Sequence, residues 1–204
     1  MTAFSLPQDT AQPLLAIAHA SRQAAQTLAS LSTEDRNRAI EAIAAALEAR
    51  ASDIVMANKA DCEAAEANNL AKPLYGRLKL DRVKLAGAIA GVRDVARLSD
   101  PIGTVQLHRE LDEGLVLKRL SVPLGVLGVI FESRPDAVVE ISALAIKSGN
   151  AVILKGGKEA IGSCIALVQA IQQGLEQAGI DRAAVQLLTT REETRALLEL
   201  DGYV

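Results

Sequence analysis

Residues 122–160 read VPLGVLGVIFESRPDAVVEISALAIKSGNAVILKGGKEA. Two short apolar runs, VLGVIFE and AVILK, flank SRPDAVVEISALAIKSG, which reads as a helix. Pro135 suits the first turn of that helix and Gly149 its C′ position. Apolar runs of this length, bounded by turn residues and separated by a helix, predict parallel strands buried between helices. The same rhythm continues with a helix over about 159–177 closed by Gly179, a strand in AAVQLLT and a helix in TREETRALLEL. From residue 122 the order strand, helix, strand, helix, strand, helix predicts a parallel α/β sheet. The final DGYV has the composition of an approach to a further strand, so the sequence reads as part of a longer domain.

Upstream the texture differs. Residues 11–98 are Ala-rich and helical in spacing. Thr33 is placed to cap a helix carrying Ile40, Ile43, Ala44 and Leu47 on one face. A break is expected near Asn58, a bend or short helix at AKPLYGRLKL, and a helix capped by Asp81. GTVQLHREL and LVLKRLSV, separated by Asp112-Glu113-Gly114, predict a β-hairpin.

The chain has 204 residues, half of them hydrophobic, but only 2% are aromatic and Trp is absent. Ala, Leu, Ile and Val must fill the core, as they do where helices cover a sheet. The net charge of −3 is spread along the chain, with no basic stripe to mark a nucleic-acid partner. No apolar run approaches a membrane span, and MTAFSLPQDT has no basic region leading into an apolar core. A soluble cytosolic protein with two reduced cysteines, Cys62 and Cys164, is the expectation. His19 and His108 stand in unlike segments, and no spacing suggests a metal.

Two places carry possible chemistry. Lys155-Gly156-Gly157-Lys158 follows a strand and precedes a helix N-terminus. Ligands of open parallel sheets bind beyond the strands' carboxyl ends, and free helix amides beside glycine favour a phosphate. A solvated turn explains the same residues at least as well, since neither a G-x-G-x-x-G nor a P-loop pattern is present. The second place is FESRPDA, 131–137, at the end of the preceding strand. Arg134 could hold a carboxylate or phosphate in two-pronged fashion. Equally, Ser133 could cap the helix and Arg134 form a surface ion pair. Cys164 lies on an apolar helix face and reads as a buried thiol, and no Ser/His/Asp set can be assembled.

The block 122–160 closely resembles the gamma-glutamyl phosphate reductases, also called glutamate-5-semialdehyde dehydrogenases, of the aldehyde dehydrogenase superfamily. ANKADCEAAEANN (57–69), DPIGTVQLHRELDEGLVLKRL (100–120) and LLTTREETRALLELDGYV (187–204) share the resemblance. It covers essentially the whole chain but only about the first half of a full member. It implies a helical part over 1–100, a hairpin arm for oligomer contacts over 101–121, and a partial NADP-binding α/β unit of Rossmann type over 122–204. It further implies that Lys155 meets the adenosine ribose. Lys158 stands where NAD-preferring relatives often carry a glutamate, which favours a 2′-phosphate and hence NADPH. Ile130, Phe131, Glu132, Gly156 and Gly157 would complete the cofactor contact. Ser133 falls where many aldehyde dehydrogenases place an oxyanion-hole asparagine, and Arg134 would hold the anionic substrate.

The implied reaction is NADPH-dependent reduction of L-glutamyl 5-phosphate to glutamate 5-semialdehyde and phosphate, the second step from glutamate to proline. In the family a cysteine thiolate displaces phosphate to give a thioester, which hydride then reduces. Neither Cys62 nor Cys164 matches that nucleophile, so the chain alone is expected to be inactive. Two other readings stay open: a related dehydrogenase of another acyl phosphate or aldehyde, and a non-catalytic remnant that binds a partner through the hairpin.

Overall fold

The structure is a computed structural model and describes residues 8–200 and 202–204. Residues 1–7, which contain most of the MTAFSLPQDT stretch, and Asp201 lie outside the described residues.

The first hundred residues are helical: α1 (Gln8–Ser30), α2 (Thr33–Ala49), α3 (Ala51–Ala67), α4 (Lys72–Leu78) and α5 (Arg82–Arg97). Ser32, not Thr33, caps α2, its hydroxyl accepting from the Asp35 amide at 3.1 Å. Thr33 instead donates to Asp100 and so ties α2 to the foot of the hairpin. The chain breaks at Arg50, between α2 and α3, and runs unbroken past Asn58. Asn58 is buried, and its amide is spent on distant groups: Nδ2 donates to the Leu78 carbonyl at 2.8 Å and to Ser163 Oγ at 3.0 Å, while Oδ1 accepts from the Leu80 amide at 2.7 Å. A residue that reads locally as a helix breaker is here a tertiary tie. Asp81 does cap α5, accepting from the Lys84 amide.

The hairpin pairs β1 (Val105–Asp112) with β2 (Leu115–Leu120) in antiparallel register, and Gly114 takes the positive φ of 75° that its turn requires. Every residue of both strands is exposed.

The second half alternates as expected: β3 (Val126–Ile130), α6 (Asp136–Lys147), β4 (Ala151–Lys155), α7 (Ile161–Gln177), β5 (Val185–Leu188) and α8 (Arg191–Leu197). The three strands form a parallel sheet in the order β3-β4-β5. The central strand β4 is buried along its whole length, which is why AVILK is apolar until its last residue. Gly149 and Gly179 close α6 and α7 with φ of 72° and 76°. Residues 202–204 do not form a strand. They take a turn, with Tyr203 under the Arg22 guanidinium at 6.0 Å. No helix among the described residues is long and apolar enough to cross a membrane.

Two features weld the helical half to the sheet. The first is a buried polar knot. Arg36 donates to the Leu31 carbonyl and to Asp100, and Lys147 Nζ donates to Asn37 Oδ1 at 2.7 Å and to the Ala96 carbonyl at 3.0 Å. The second is Asp61 on α3, which accepts from the amides of Gly162 and Ser163 and from the Ser163 hydroxyl. Asp61 therefore caps α7 from another helix. A Cβ on Gly162 would lie 2.8 Å from Asp61 Oδ1, so the glycine is what lets the carboxylate in. Replacing Asp61 with Ala leaves two helix-terminal amides without partners. The expected loss is about 1–2 kcal/mol of unfolding free energy by urea titration.

Candidate nucleotide site

A cleft of about 410 Å³ opens at the carboxyl ends of β3, β4 and β5. It is lined by Ile130, Phe131 and Glu132 at the end of β3, Lys155 to Glu159 at the end of β4, and Thr189, Arg191, Thr194, Arg195 and Leu198 from the loop after β5 through α8. All seven residues expected at the cofactor therefore share one cleft, although two loops supply them.

Local packing explains the two glycines. A Cβ on Gly156 would lie 2.8 Å from Cys164 Sγ and 3.3 Å from the Phe131 ring. A Cβ on Gly157 would overlap the Glu159 carboxylate. The loop thus lies flat over Phe131 and Cys164, and its floor admits no side chain. Lys155 is almost fully buried and turns back to the Gly156 carbonyl, whereas Lys158 stands exposed.

Two of the helix amides expected to be free for an anion are not. Those of Gly162 and Ser163 belong to Asp61. Positive charge in the cleft comes instead from side chains: Lys155, Lys158, Arg191 and Arg195, the last in contact with Glu199 at 3.8 Å. Arg191 occupies the first turn of α8, where the helix dipole disfavours a cation, and Thr190 and Glu193 form a capping box around it. That misplaced charge is the one local sign by which the sequence could have revealed α8 as part of the site.

Ser133 adopts φ of 46°, in the left-handed region, and is buried. It does not cap α6, which begins after Pro135 without a side-chain cap. Glu159 Oε1 accepts both its amide at 2.8 Å and its hydroxyl at 2.5 Å. Burial works to raise the Glu159 pKa, but the hydrogen bonds from Ser133 and the charge of Lys155 outweigh it and hold the pKa below the ordinary glutamate value. At neutral pH Glu159 is a carboxylate, so the hydroxyl's single proton is committed to it. In this arrangement Ser133 pins the loop and has no proton to offer an oxyanion. Arg134 does not line the cleft. It pairs with Asp136 at 3.2 Å and Glu140 at 3.6 Å on the other side of the loop.

Neither cysteine is an activated nucleophile. Burial pushes the Cys164 thiol up to about 12, and it also raises Cys62. Both are therefore protonated at neutral pH. Iodoacetamide at pH 7.5 should modify the folded chain many times more slowly than the urea-unfolded chain, and mass spectrometry counts the adducts.

The profile of the aldehyde dehydrogenase family matches residues 2–201. The gamma-glutamyl phosphate reductase of Trichodesmium erythraeum is 63% identical over 191 residues, covering 94% of this chain and 44% of that protein. The crystal structure of the Saccharomyces cerevisiae gamma-glutamyl phosphate reductase superposes with a TM-score of 0.88 at 39% identity, over 98% of this chain and 50% of that one. The Thermotoga maritima gamma-glutamyl phosphate reductase gives 0.86 at 34%, over 94% and 47%. The chain spans less than half the length of the curated relatives it matches. With its sheet, its strand-end cleft and this match over nearly its whole length, the chain belongs to the aldehyde dehydrogenase family.

Proposed function

We propose that the chain is the nucleotide-binding part of a gamma-glutamyl phosphate reductase. That enzyme reduces L-glutamyl 5-phosphate with NADPH to L-glutamate 5-semialdehyde and phosphate, in the synthesis of proline from glutamate. The observation that carries the reading is the single cleft that gathers Ile130, Phe131 and Glu132 with Lys155 to Lys158, in a chain 63% identical to a protein of that name.

The cleft suits the adenosine half of a dinucleotide. Its floor at Gly156 is closed to side chains, which leaves room for a ribose, and the exposed Lys158 shares the cleft with Arg191, so a 2′-phosphate there would gain charge-assisted bonds. When bound, the cofactor supplies hydride. This chain's residues bind and orient it: Ile130 to Glu132 along one side, Lys155 at the ribose, Lys158 at the 2′-phosphate. The reacting thiolate is supplied by neither Cys62 nor Cys164.

The exposed hairpin fits the arm of an oligomer. A lone two-stranded ribbon is marginal in water, and this one exposes Leu107, Leu111, Leu115, Val116, Leu117 and Leu120. Residues 101–121 would gain stability by pairing with another subunit.

Isothermal titration with 2′,5′-ADP and 5′-AMP tests the nucleotide reading. The chain should bind the first at least ten-fold more tightly and should not oxidise NADPH in the presence of L-glutamyl 5-phosphate. Equal affinities would remove the 2′-phosphate assignment.

A further inference from the structure

The nucleotide cleft holds four cations, Lys155, Lys158, Arg191 and Arg195, and two acids, Glu132 and Glu159. Opposite charges confined to one cleft attract. Glu159 nevertheless makes no ion pair among the described residues, although Lys158 directly precedes it in the chain. Its Oε1 accepts instead from the Ser133 amide at 2.8 Å and from the Ser133 hydroxyl at 2.5 Å. Lys158 and Arg191 likewise make no ion pair among the described residues, so both charges in the cleft are without a fixed counter-ion.

Two residues build the seat that holds this carboxylate. Gly157 has no Cβ, and one placed there would overlap Glu159 Oε1 and lie 2.6 Å from the carboxyl carbon. The backbone of Gly157, with φ of −64° and ψ of 153°, suits any residue. It is therefore the carboxylate, not the backbone, that requires glycine here. Ser133 is buried with φ of 46°, a conformation that a residue with a side chain keeps only where its surroundings hold it. From that conformation its amide and its hydroxyl converge on one oxygen. The charge of buried Lys155 adds to the hold.

We propose that Ser133 is a positioning residue that decides nucleotide specificity: with Gly157 it sequesters the Glu159 carboxylate, so that Lys158 and Arg191 meet the ligand's 2′-phosphate and not an internal acid. Released from Ser133, the carboxylate sits on a flexible side chain one residue from Lys158, in a cleft it shares with Arg191. There it competes with a phosphate for the same two charges and repels the phosphate as well. A nucleotide without the 2′-phosphate loses little by the exchange. Ser133 acts through Glu159 and touches no nucleotide. The inference rests on the reading that the cleft takes a 2′-phosphorylated nucleotide, and it adds what keeps the cleft's positive charge available.

Isothermal titration of the 204-residue chain with 2′,5′-ADP and 5′-AMP at low ionic strength is the test. Four forms are compared: wild type, Ser133→Ala, Glu159→Gln and the double variant. Ser133→Ala should weaken 2′,5′-ADP binding about three- to ten-fold, a range set by the modest strength of solvent-exposed ion pairs, and leave 5′-AMP within about two-fold. Glu159→Gln removes the acid and should not weaken 2′,5′-ADP. In the double variant a neutral glutamine cannot quench Lys158, so 2′,5′-ADP affinity should return to within about two-fold of wild type. Gly157→Ala, which evicts the carboxylate by steric overlap, should reproduce the selective loss, and Glu159→Gln should again reverse it. A clasp with a purely structural role predicts otherwise: the double variant would loosen the loop further, weaken both nucleotides alike and rescue nothing. The absence of a selective loss in Ser133→Ala, or a loss that Glu159→Gln does not reverse, overturns the inference. Equal binding of the two nucleotides by the wild-type chain removes the 2′-phosphate reading itself, whereas a wild-type preference that these variants leave untouched removes this inference alone.

Discussion

Lys158→Glu should lower the affinity of the chain for 2′,5′-ADP by about ten- to a hundred-fold and leave 5′-AMP within about three-fold. On the proposed assignment the substitution reverses one charge beside a 2′-phosphate that carries close to two negative charges, so attraction becomes repulsion. Exposure of Lys158 to solvent tempers the effect, which sets the range well below the unscreened value. The fold should be indifferent, because Lys158 makes no ion pair among the described residues and sits in a single 3₁₀ turn, Lys158–Ala160. In a full-length protein the same change should cut kcat/KM with NADPH far more than with NADH. Equal losses with both nucleotides would show that Lys158 senses something other than the 2′-phosphate.

Gly174→Ala should destabilise the chain by about 2 kcal/mol, and Gly174→Val by about 4 kcal/mol, enough to prevent soluble folding. Gly174 lies in the last turn of α7, where α7 crosses α2. A Cβ there would stand 2.6 Å from Ile43 Cα, 2.7 Å from its nitrogen and 2.8 Å from the Ala42 carbonyl oxygen. These are backbone atoms, so no rotamer change relieves the collision. The helices must separate and loosen the packing of Ile40, Ile43, Ala44 and Leu47, all fully buried. Alanine's better helix propensity returns only about 1 kcal/mol. Gly91→Ala is the matched control. That glycine also lies within a helix, but a Cβ there meets nothing within 4 Å, so the variant should gain about 0.5–1 kcal/mol. Urea titrations of the two variants should therefore move in opposite directions.

The two halves of the chain differed in how plainly their sequence spoke. From Val126 onward, short apolar strands, amphipathic helices and glycines at helix ends all agree, and the parallel sheet follows from residues 122–160. In the helical half, Ala-rich segments read as helix on both sides of any break, so the gap at Arg50 leaves no mark. Asn58 misleads because its amide answers to Leu78, Leu80 and Ser163, partners invisible to a local window. The site divides the same way. The loops after β3 and β4 stand out as polar interruptions of apolar runs. Arg191 and Arg195 arrive in the cleft only because the sheet sets β5 beside β4. Asp61 reaches Ser163 across 102 residues, and nothing near either residue announces the pairing.

The cap that Asp61 places on α7 shapes how the nucleotide cleft can hold an anion. Backbone amides at a helix end are fixed dipoles, oriented before any ligand arrives. At Gly162 and Ser163 they are already spent on a carboxylate from the same chain. The side chains that can meet an anion there are whole charges on flexible stems, Lys158 and Arg191 foremost, reaching through water. Such a grip is loose, readily redirected by one substitution, and shielded by dissolved ions over a Debye length of roughly 8 Å at physiological ionic strength. The preference for 2′,5′-ADP over 5′-AMP should therefore be sharp in dilute buffer and fade as salt rises.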